Sequence, residues 1–381
     1  MTYKAFQDWY REGNIKHLLL YNHHGCLISP PFATERCPEY NKIMKYDGSV
    51  SYIDTELPPA VSKTNSVVSL ANSSWLIPYG IYENNYNTVL QLTKDFVPII
   101  NFIEAEGKGQ FYSGASNGTE AFSFPLGYEG TQYAMYIKDD VPKLIPFNHT
   151  VAKAHMGTVY CNGKFYSMPR GDEPGYTDLV SFDGNEFKSY NIPVNRDITR
   201  KYTDLIVKGN SLYSLPYGEQ PGLNEVVEFN TDTNTISLYK LDIPDFAKKY
   251  NSMVYNCNHI IGLPYGDEHC EDSNWGVVFN VITKESKAFD IGITHGGKYR
   301  YRSGISYYNL SVFFPGGTPS CPIIAVNTNG QIVYKKHYPN LMFGRPIIYN
   351  KMIHVIAYDI HTEKHYMYMF NESWTVKVIE I

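Results

Sequence analysis

Charge is scarce in this 381-residue chain. Lys and Arg number 33 and Asp and Glu 38, so charged residues make up 19% and the formal net charge is -5. A dedicated nucleic-acid binder normally carries a basic excess, and there is none here. Long apolar runs are missing as well. No stretch approaches the roughly 20 residues that cross a bilayer, so no membrane span is expected. The opening MTYKAFQDWYREGN lacks a basic region followed by an apolar run, which argues against a secretory signal. The six cysteines (Cys26, Cys37, Cys161, Cys257, Cys270, Cys321) form no CxxC pair, which argues against a zinc knuckle. Free thiols in the cytoplasm are the expectation, with no cofactor and no metal. Catalytic signatures are equally scarce: there is no GxSxG, no HExxH and no P-loop.

What the chain does have is tyrosine. It contains 34, aromatics reach 15%, and hydrophobic residues reach 43%. That is enough apolar material for a sizeable core. Tyr favours strands and keeps a polar tip, so the composition points to β structure.

A phrase recurs: apolar residues, then Pro, a variable residue, and Gly. It reads Leu76-Ile77-Pro78-Tyr79-Gly80, Ser123-Phe124-Pro125-Leu126-Gly127 and Ser167-Met168-Pro169-Arg170-Gly171. It continues as Ser214-Leu215-Pro216-Tyr217-Gly218, Gly262-Leu263-Pro264-Tyr265-Gly266 and Phe313-Phe314-Pro315-Gly316-Gly317. Degenerate copies stand at Leu27-Ile28-Ser29-Pro30-Pro31 and Val355-Ile356-Ala357-Tyr358-Asp359. From Pro30 on, the prolines are spaced 48, 47, 44, 47, 48 and 51 residues apart. A second phrase follows each first one: a strand ending in Asn or Asp before a turn, as in Ser181-Phe182-Asp183-Gly184, Glu228-Phe229-Asn230, Val278-Phe279-Asn280 and Met369-Phe370-Asn371. Asn and Asp cap such turns by accepting from their own backbone. Each unit of about 47 residues thus reads as four short strands, which is the period of a propeller blade.

The chain is therefore expected to be an all-β propeller of four-stranded antiparallel blades. It has eight blades, or seven if one terminal unit is broken. Residues 15–381 form one propeller domain. Residues 1–14 form an N-terminal arm in which Phe6, Trp9 and Tyr10 share one face of a helical turn. Lys16–Tyr21 is the first inner strand and Thr375–Ile379 the last outer one.

The repeat resembles that of the kelch propellers. Phe313-Phe314-Pro315-Gly316-Gly317 is close to their double-glycine strand. Phe370-Asn371-Glu372-Ser373-Trp374 is close to their third-strand signature. The resemblance spans nearly the whole chain and implies the same fold. Most units carry Pro-x-Gly in place of Gly-Gly and lack the Trp.

In an up-down blade, the Pro-x-Gly loops and the approaches to the inner strands emerge on one face. Acidic loops follow the phrase: Asp172-Glu173, Glu219, and Asp267-Glu268 in the insert 267–275. Basic and aromatic residues precede the inner strands: Lys153-Ala154-His155, Arg200-Lys201-Tyr202, Lys248-Lys249-Tyr250 and Lys298-Tyr299-Arg300-Tyr301-Arg302. These should ring the mouth of the central channel. The binding candidates are His155, Arg170, Asp172, Glu173, Tyr202, Tyr217, Glu219, Tyr250, Tyr265, Asp267, Glu268, Arg300 and Arg302. Two readings of them stand side by side. They form a structural ring of charge pairs and interblade tyrosines, or they seat a ligand. Residues that break the repeat, Arg170, His155, Leu126 and the insert 267–275, carry the stronger functional expectation. His23-His24 reads as a solvated turn.

The function expected is non-enzymatic recognition of a protein or a small polar ligand, a glycan included, at that face. Two alternatives remain open: a carbohydrate-active or other hydrolase using the loop carboxylates, and a structural part of a viral or phage particle.

Overall fold

The computed structural model describes residues 13–60, 63–79, 88–103, 111–126, 133–147, 154–266, 274–293, 300–316 and 321–381. The arm residues Phe6, Trp9 and Tyr10 lie outside them. The described residues fall into two compact units, one within Tyr10–Ile192 and one within Pro193–Ile381.

Each unit is a series of antiparallel sheets in which consecutive strands pair in sequence order. The N-terminal unit holds blades 1 to 4, at residues 21–54, 64–102, 115–146 and 159–191. The C-terminal unit holds blades 5 to 8, at 206–240, 253–290, 301–336 and 341–380. The fold is an all-β, eight-bladed propeller of four-stranded blades, with no helix among the described residues. Blade 8 has its inner strand interrupted. Leu341–Phe343 and Ile347–Tyr349 both pair with Met352–Asp359, and the break holds Pro346, which has no N–H for the ladder.

The cores lie in the seams between consecutive blades. Ile28 and Ile43 of blade 1 pack with Leu76 and Leu90 of blade 2. Phe122 and Phe124 of blade 3 pack with Phe165 and Phe182 of blade 4. In the C-terminal unit, Val226 meets Ile260 and Val277, Ile261 and Val278 meet Phe313 and Ile324, and Phe314 and Ile323 meet Val355 and Phe370. A single four-stranded sheet cannot bury its own faces, so each blade depends on its neighbour.

The recurrent phrases have definite structural tasks. Asp183 Oδ1 accepts from the amides of Asn185 and Glu186, both at 3.0 Å. Asn230, Asn280 and Asn371 cap the same turn in their own blades. Ser123, Ser167 and Ser214, two residues before each Pro, are buried. Their hydroxyls donate to the carbonyls of Ser113, Gly157 and Asp204, each two residues ahead of the inner strand.

The variable residue of Pro-x-Gly links blades through its main chain. In the C-terminal unit, Tyr217 N–H donates to Lys201 O at 2.8 Å, and Tyr217 O accepts from Lys249 N–H at 2.8 Å. Tyr265 N–H then donates to Lys249 O at 2.7 Å, and Tyr265 O accepts from Arg300 N–H at 2.9 Å. Gly316 N–H closes the series on Arg300 O at 3.1 Å. In the N-terminal unit Phe32, Lys63 and Tyr79 repeat it: Phe32 N–H to Lys16 O, Lys63 N–H to Phe32 O, Tyr79 N–H to Lys63 O. This girdle joins consecutive blades outside their ladders.

The girdle also corrects an element boundary. The first inner strand is Tyr21–His23, later than the Lys16–Tyr21 that the sequence suggests. Residues before it are committed to the girdle. Opposite the phrase's Pro, which cannot donate, the ladder shrinks to a lone bridge, as in His155–Pro169 and Tyr202–Pro216.

Candidate functional site

The sequence places basic pairs ahead of the inner strands of blades 5 and 6, and the structure divides each pair. Lys201 and Lys249 are fully buried. Lys201 Nζ donates to Ile198 O at 2.5 Å, and Lys249 Nζ donates to Asp245 Oδ1 at 3.0 Å and to Phe246 O. Lys63 of blade 2 is their equivalent, with Nζ 3.0 Å from Tyr40 O. Burial lowers the ammonium pKa of Lys63 and of Lys201 to about 8. Arg300 takes the same place in blade 7. It is 1% exposed and bonded through Nη1 to Asn274 Oδ1 at 2.9 Å. These cations tie down the segments before the inner strands, and Arg300 is buried rather than exposed at the surface.

His155, Tyr202 and Tyr250 are likewise buried, at 1%, 0% and 2% exposure. Both His155 nitrogens are engaged, Nδ1 with Met168 O at 3.2 Å and Nε2 with Tyr176 Oη at 2.6 Å. Blade 1 repeats the arrangement, with His17 on Pro30 O and on Tyr40 Oη. His155 therefore does not break the repeat. It follows an alternative solution that occurs twice, and it does not line a mouth. Leu126, a second repeat-breaker, is core at 2% exposure. His23 is also corrected. It is buried, with Nδ1 2.8 Å from Ser74 Oγ and Nε2 3.0 Å from Thr93 O, while His24 beside it is exposed.

What remains at the surface of the C-terminal unit is a short row of side chains from three consecutive blades. Glu219, after the blade 5 phrase, pairs with Arg200 Nη1 at 3.1 Å and with Lys248 Nζ at 3.2 Å, one cation ahead of blade 5 and one ahead of blade 6. Arg200 and Lys248 both have left-handed backbones, φ 49 and φ 51. That conformation parts each from its buried neighbour. Next to them the rings of Tyr217 and Tyr265 lie 5.8 Å apart. Arg302 of blade 7 covers Tyr265, with its Nη2 3.2 Å from the hydroxyl and its guanidinium 5.9 Å from the ring centre. Tyr217 and Tyr265 are themselves 3% and 5% exposed, so the partly exposed members of the row are Arg200, Glu219, Lys248 and Arg302.

In blade 4 the corresponding place holds Arg170, with Asp172 Oδ1 3.9 Å from its Nη1. Glu173 beside it is exposed. Asp267 and Glu268 lie outside the described residues, as do residues 267–273 of the insert and Lys153, Lys298 and Tyr299.

Two further polar groups escaped the sequence reading. Glu228 accepts from Ser211, Tyr213, Tyr239 and Lys284 across blades 5 and 6. Every lone-pair direction is taken, so it is a staple and not a reactive acid. Asp204, two residues ahead of the blade 5 inner strand, is exposed to solvent, and the protein crowded around its carboxyl raises the pKa above the usual carboxylate range. The Leu205 N–H at 2.9 Å and the charge of Arg345 offset this in part. No run or motif marks either residue. Their surroundings come from residues far away in sequence. No group of three or more His, Cys, Asp or Glu that could hold a metal occurs among the described residues.

No family model matches the sequence, and no curated protein matches it. Solved structures do match its fold. BamB from Moraxella catarrhalis aligns over 95% of this chain and 93% of its own, at 12% identity and a TM-score of 0.58. The dihydro-heme d1 dehydrogenase NirN, in complex with DHE, aligns over 89% and 71%, at 8% identity and a TM-score of 0.61. A streptogramin B lyase aligns over 84% and 94%, at 10% identity and a TM-score of 0.52. The likeness establishes the propeller fold. Two of the three are named as enzymes, so the fold is compatible with both binding and chemistry.

Proposed function

We propose that the chain is a recognition propeller that binds a protein loop or a small polar ligand through the row on the C-terminal unit. The observation that carries this reading is convergence. Arg200 and Glu219 of blade 5, Lys248 ahead of blade 6 and Arg302 of blade 7 present charged, partly exposed groups over a packed Tyr217–Tyr265 base. Arginine on tyrosine over a rigid support is the composition of binding hot spots. The girdle beneath holds the row in place, so little ordering entropy is lost on binding. In this reading the repeat is kelch-like, and Trp374, stacked on Tyr334 at 4.1 Å, plays the part of the family's tryptophan.

The test is a peptide-display selection on the immobilised protein, with an Arg200→Glu/Lys248→Glu double variant as counter-target. Enriched peptides should bind the variant at least about tenfold more weakly, the loss of one charged hydrogen bond. Peptides that bind both proteins equally would refute the reading.

A second reading, hydrolysis of a polar substrate, has one observation behind it, the raised carboxyl of Asp204. A carboxyl whose pKa is raised is a better proton donor than an ordinary carboxylate, as a general acid requires. Asp204→Asn should then abolish turnover of a chromogenic glycoside panel. Absence of turnover by the wild type removes this reading.

A further inference from the structure

Arg170 differs from its counterparts in its side chain alone. Its main chain does what that of Tyr217 does, with N–H donating to Ala154 O at 2.8 Å. The following Gly171 has φ +50, like Gly218 at φ +61. Blades 2, 5 and 6 place Tyr here, whose ring fills the space and whose only polar atom is terminal. Blade 4 places a guanidinium whose side chain is 13% exposed.

The Nε and Nη1 atoms of Arg170 are enclosed and have no hydrogen-bond partner. Asp172 Oδ1, at 3.9 Å from Nη1, is beyond hydrogen-bond distance. Arg200 and Arg300, by contrast, reach their acceptors at 3.1 and 2.9 Å. Burying charged donors without a hydrogen-bond acceptor costs more than burying neutral ones, and a long ion pair offsets that only in part. A Tyr would carry no such cost, so the arginine stores free energy that a fitting acceptor would recover.

We propose that Arg170 anchors an oxyanion site on blade 4, taking a carboxylate or phosphate group on its guanidinium fork. An oxyanion on either edge of the guanidinium accepts from Nη2 together with Nε or Nη1, and so supplies an acceptor that one of those two donors lacks. The loop that follows, Gly171-Asp172-Glu173-Pro174-Gly175, supplies the way in. Glu173, Pro174 and Gly175 are exposed, and Gly171 and Gly175 both take positive φ, at +50 and +87. The anion displaces the long Asp172 contact as it enters. Asp172 is thus a competitor, and its charge weakens the site. This site is separate from the row on the C-terminal unit, and neither proposal depends on the other.

The experiment is thermal unfolding in inorganic phosphate and in acetate, each against chloride at equal ionic strength. Wild type, Arg170→Tyr and Asp172→Asn are compared. Arg170→Tyr restores the residue of blades 2, 5 and 6 and should fold. Arg170→Met stands in if it does not. The wild-type midpoint should rise in at least one of the two anions, the Arg170 variant should not respond, and Asp172→Asn should respond more strongly than wild type. A response to phosphate alone assigns the phosphate class, and a response to acetate alone the carboxylate class. The proposal is overturned if neither anion stabilises wild type beyond chloride, or if the Arg170 variant rises as much as wild type.

Discussion

Ala33, with φ +59, stands where the phrase has its glycine: the girdle bonds put Phe32 in the place of the variable residue, so the phrase's proline in blade 1 is Pro31 and not Pro30. An L-residue in that left-handed region costs roughly 1–2 kcal/mol, and glycine costs almost nothing. Ala33→Gly should therefore stabilise the protein by about 1 kcal/mol. Gly218→Ala should cost about 1–2 kcal/mol, because φ is +61 and a Cβ would lie 3.0 Å from Gln220 O. Denaturant titration of both variants checks the pair, and a sign reversal in either would sink the account. His23 gives a pH-dependent case. Burial lowers its pKa below 6.5, so the unfolded chain takes up the proton first as pH falls. The stability it contributes is complete above pH 6.5 and declines as pH falls from there towards the lower folded value. Unfolding midpoints measured from pH 7.5 to 5 should fall more steeply for wild type than for His23→Gln. Parallel curves would show that His23 is not the titrating group.

Among strands, the outer strand of blade 2 stands apart. Pro98–Phe102 reads Pro-Ile-Ile-Asn-Phe and carries no charge. The other seven blades each have Lys, Asp or Glu in that strand: Asp54, Lys143, Lys188, Lys240, Lys287, Lys335 and Lys377 among them. Ile99 is 42% exposed and Phe102 75%. An uncharged apolar edge with free ladder groups is a template for further strands, and lysine is the usual protection. Ile99→Lys or Phe102→Lys should lower light scattering in concentrated solution and leave the unfolding midpoint nearly unchanged. Unaltered scattering would show that this edge does not associate.

At the scale of the molecule, the girdle makes a statement that blade-by-blade reading does not. The amides of Tyr217, Lys249, Tyr265 and Arg300 lie outside the regular ladders and would normally be placed in loops. Each donates to a main-chain carbonyl across or along a blade boundary at 2.7–2.9 Å. Opening the bonds of Lys249 and Arg300 requires parting two blades, with the seam cores between them, and the Tyr217 and Tyr265 amides bond to the segments held in that way. Hydrogen exchange should therefore find these amides as slow as those of core strands such as Val277–Phe279. Exchange at the rate of Asn230–Thr235 turn amides would show that the girdle opens independently of the seams.

The repeat was legible in the sequence because its requirements are local. Pro removes a donor, Gly permits positive φ, and Asn or Asp caps its own turn, so a 47-residue period of such residues determines blade, strand order and the face on which Glu219 and Arg302 emerge. The division of neighbours was not legible. Arg200 and Lys201 differ by one residue and one amine chemistry, yet one is at the surface and the other fully buried. His155 and Tyr202 share a register position, His155 with the stronger functional expectation of the two, and both are core. The acceptors of Lys201 and Lys249 stand only three or four residues back, yet no motif records which of two adjacent basic residues turns inward. The tyrosines and the sparse charge belonged to the sequence. Which of them stayed at the surface, and which arginine was left with unmatched donors, was decided by packing between blades.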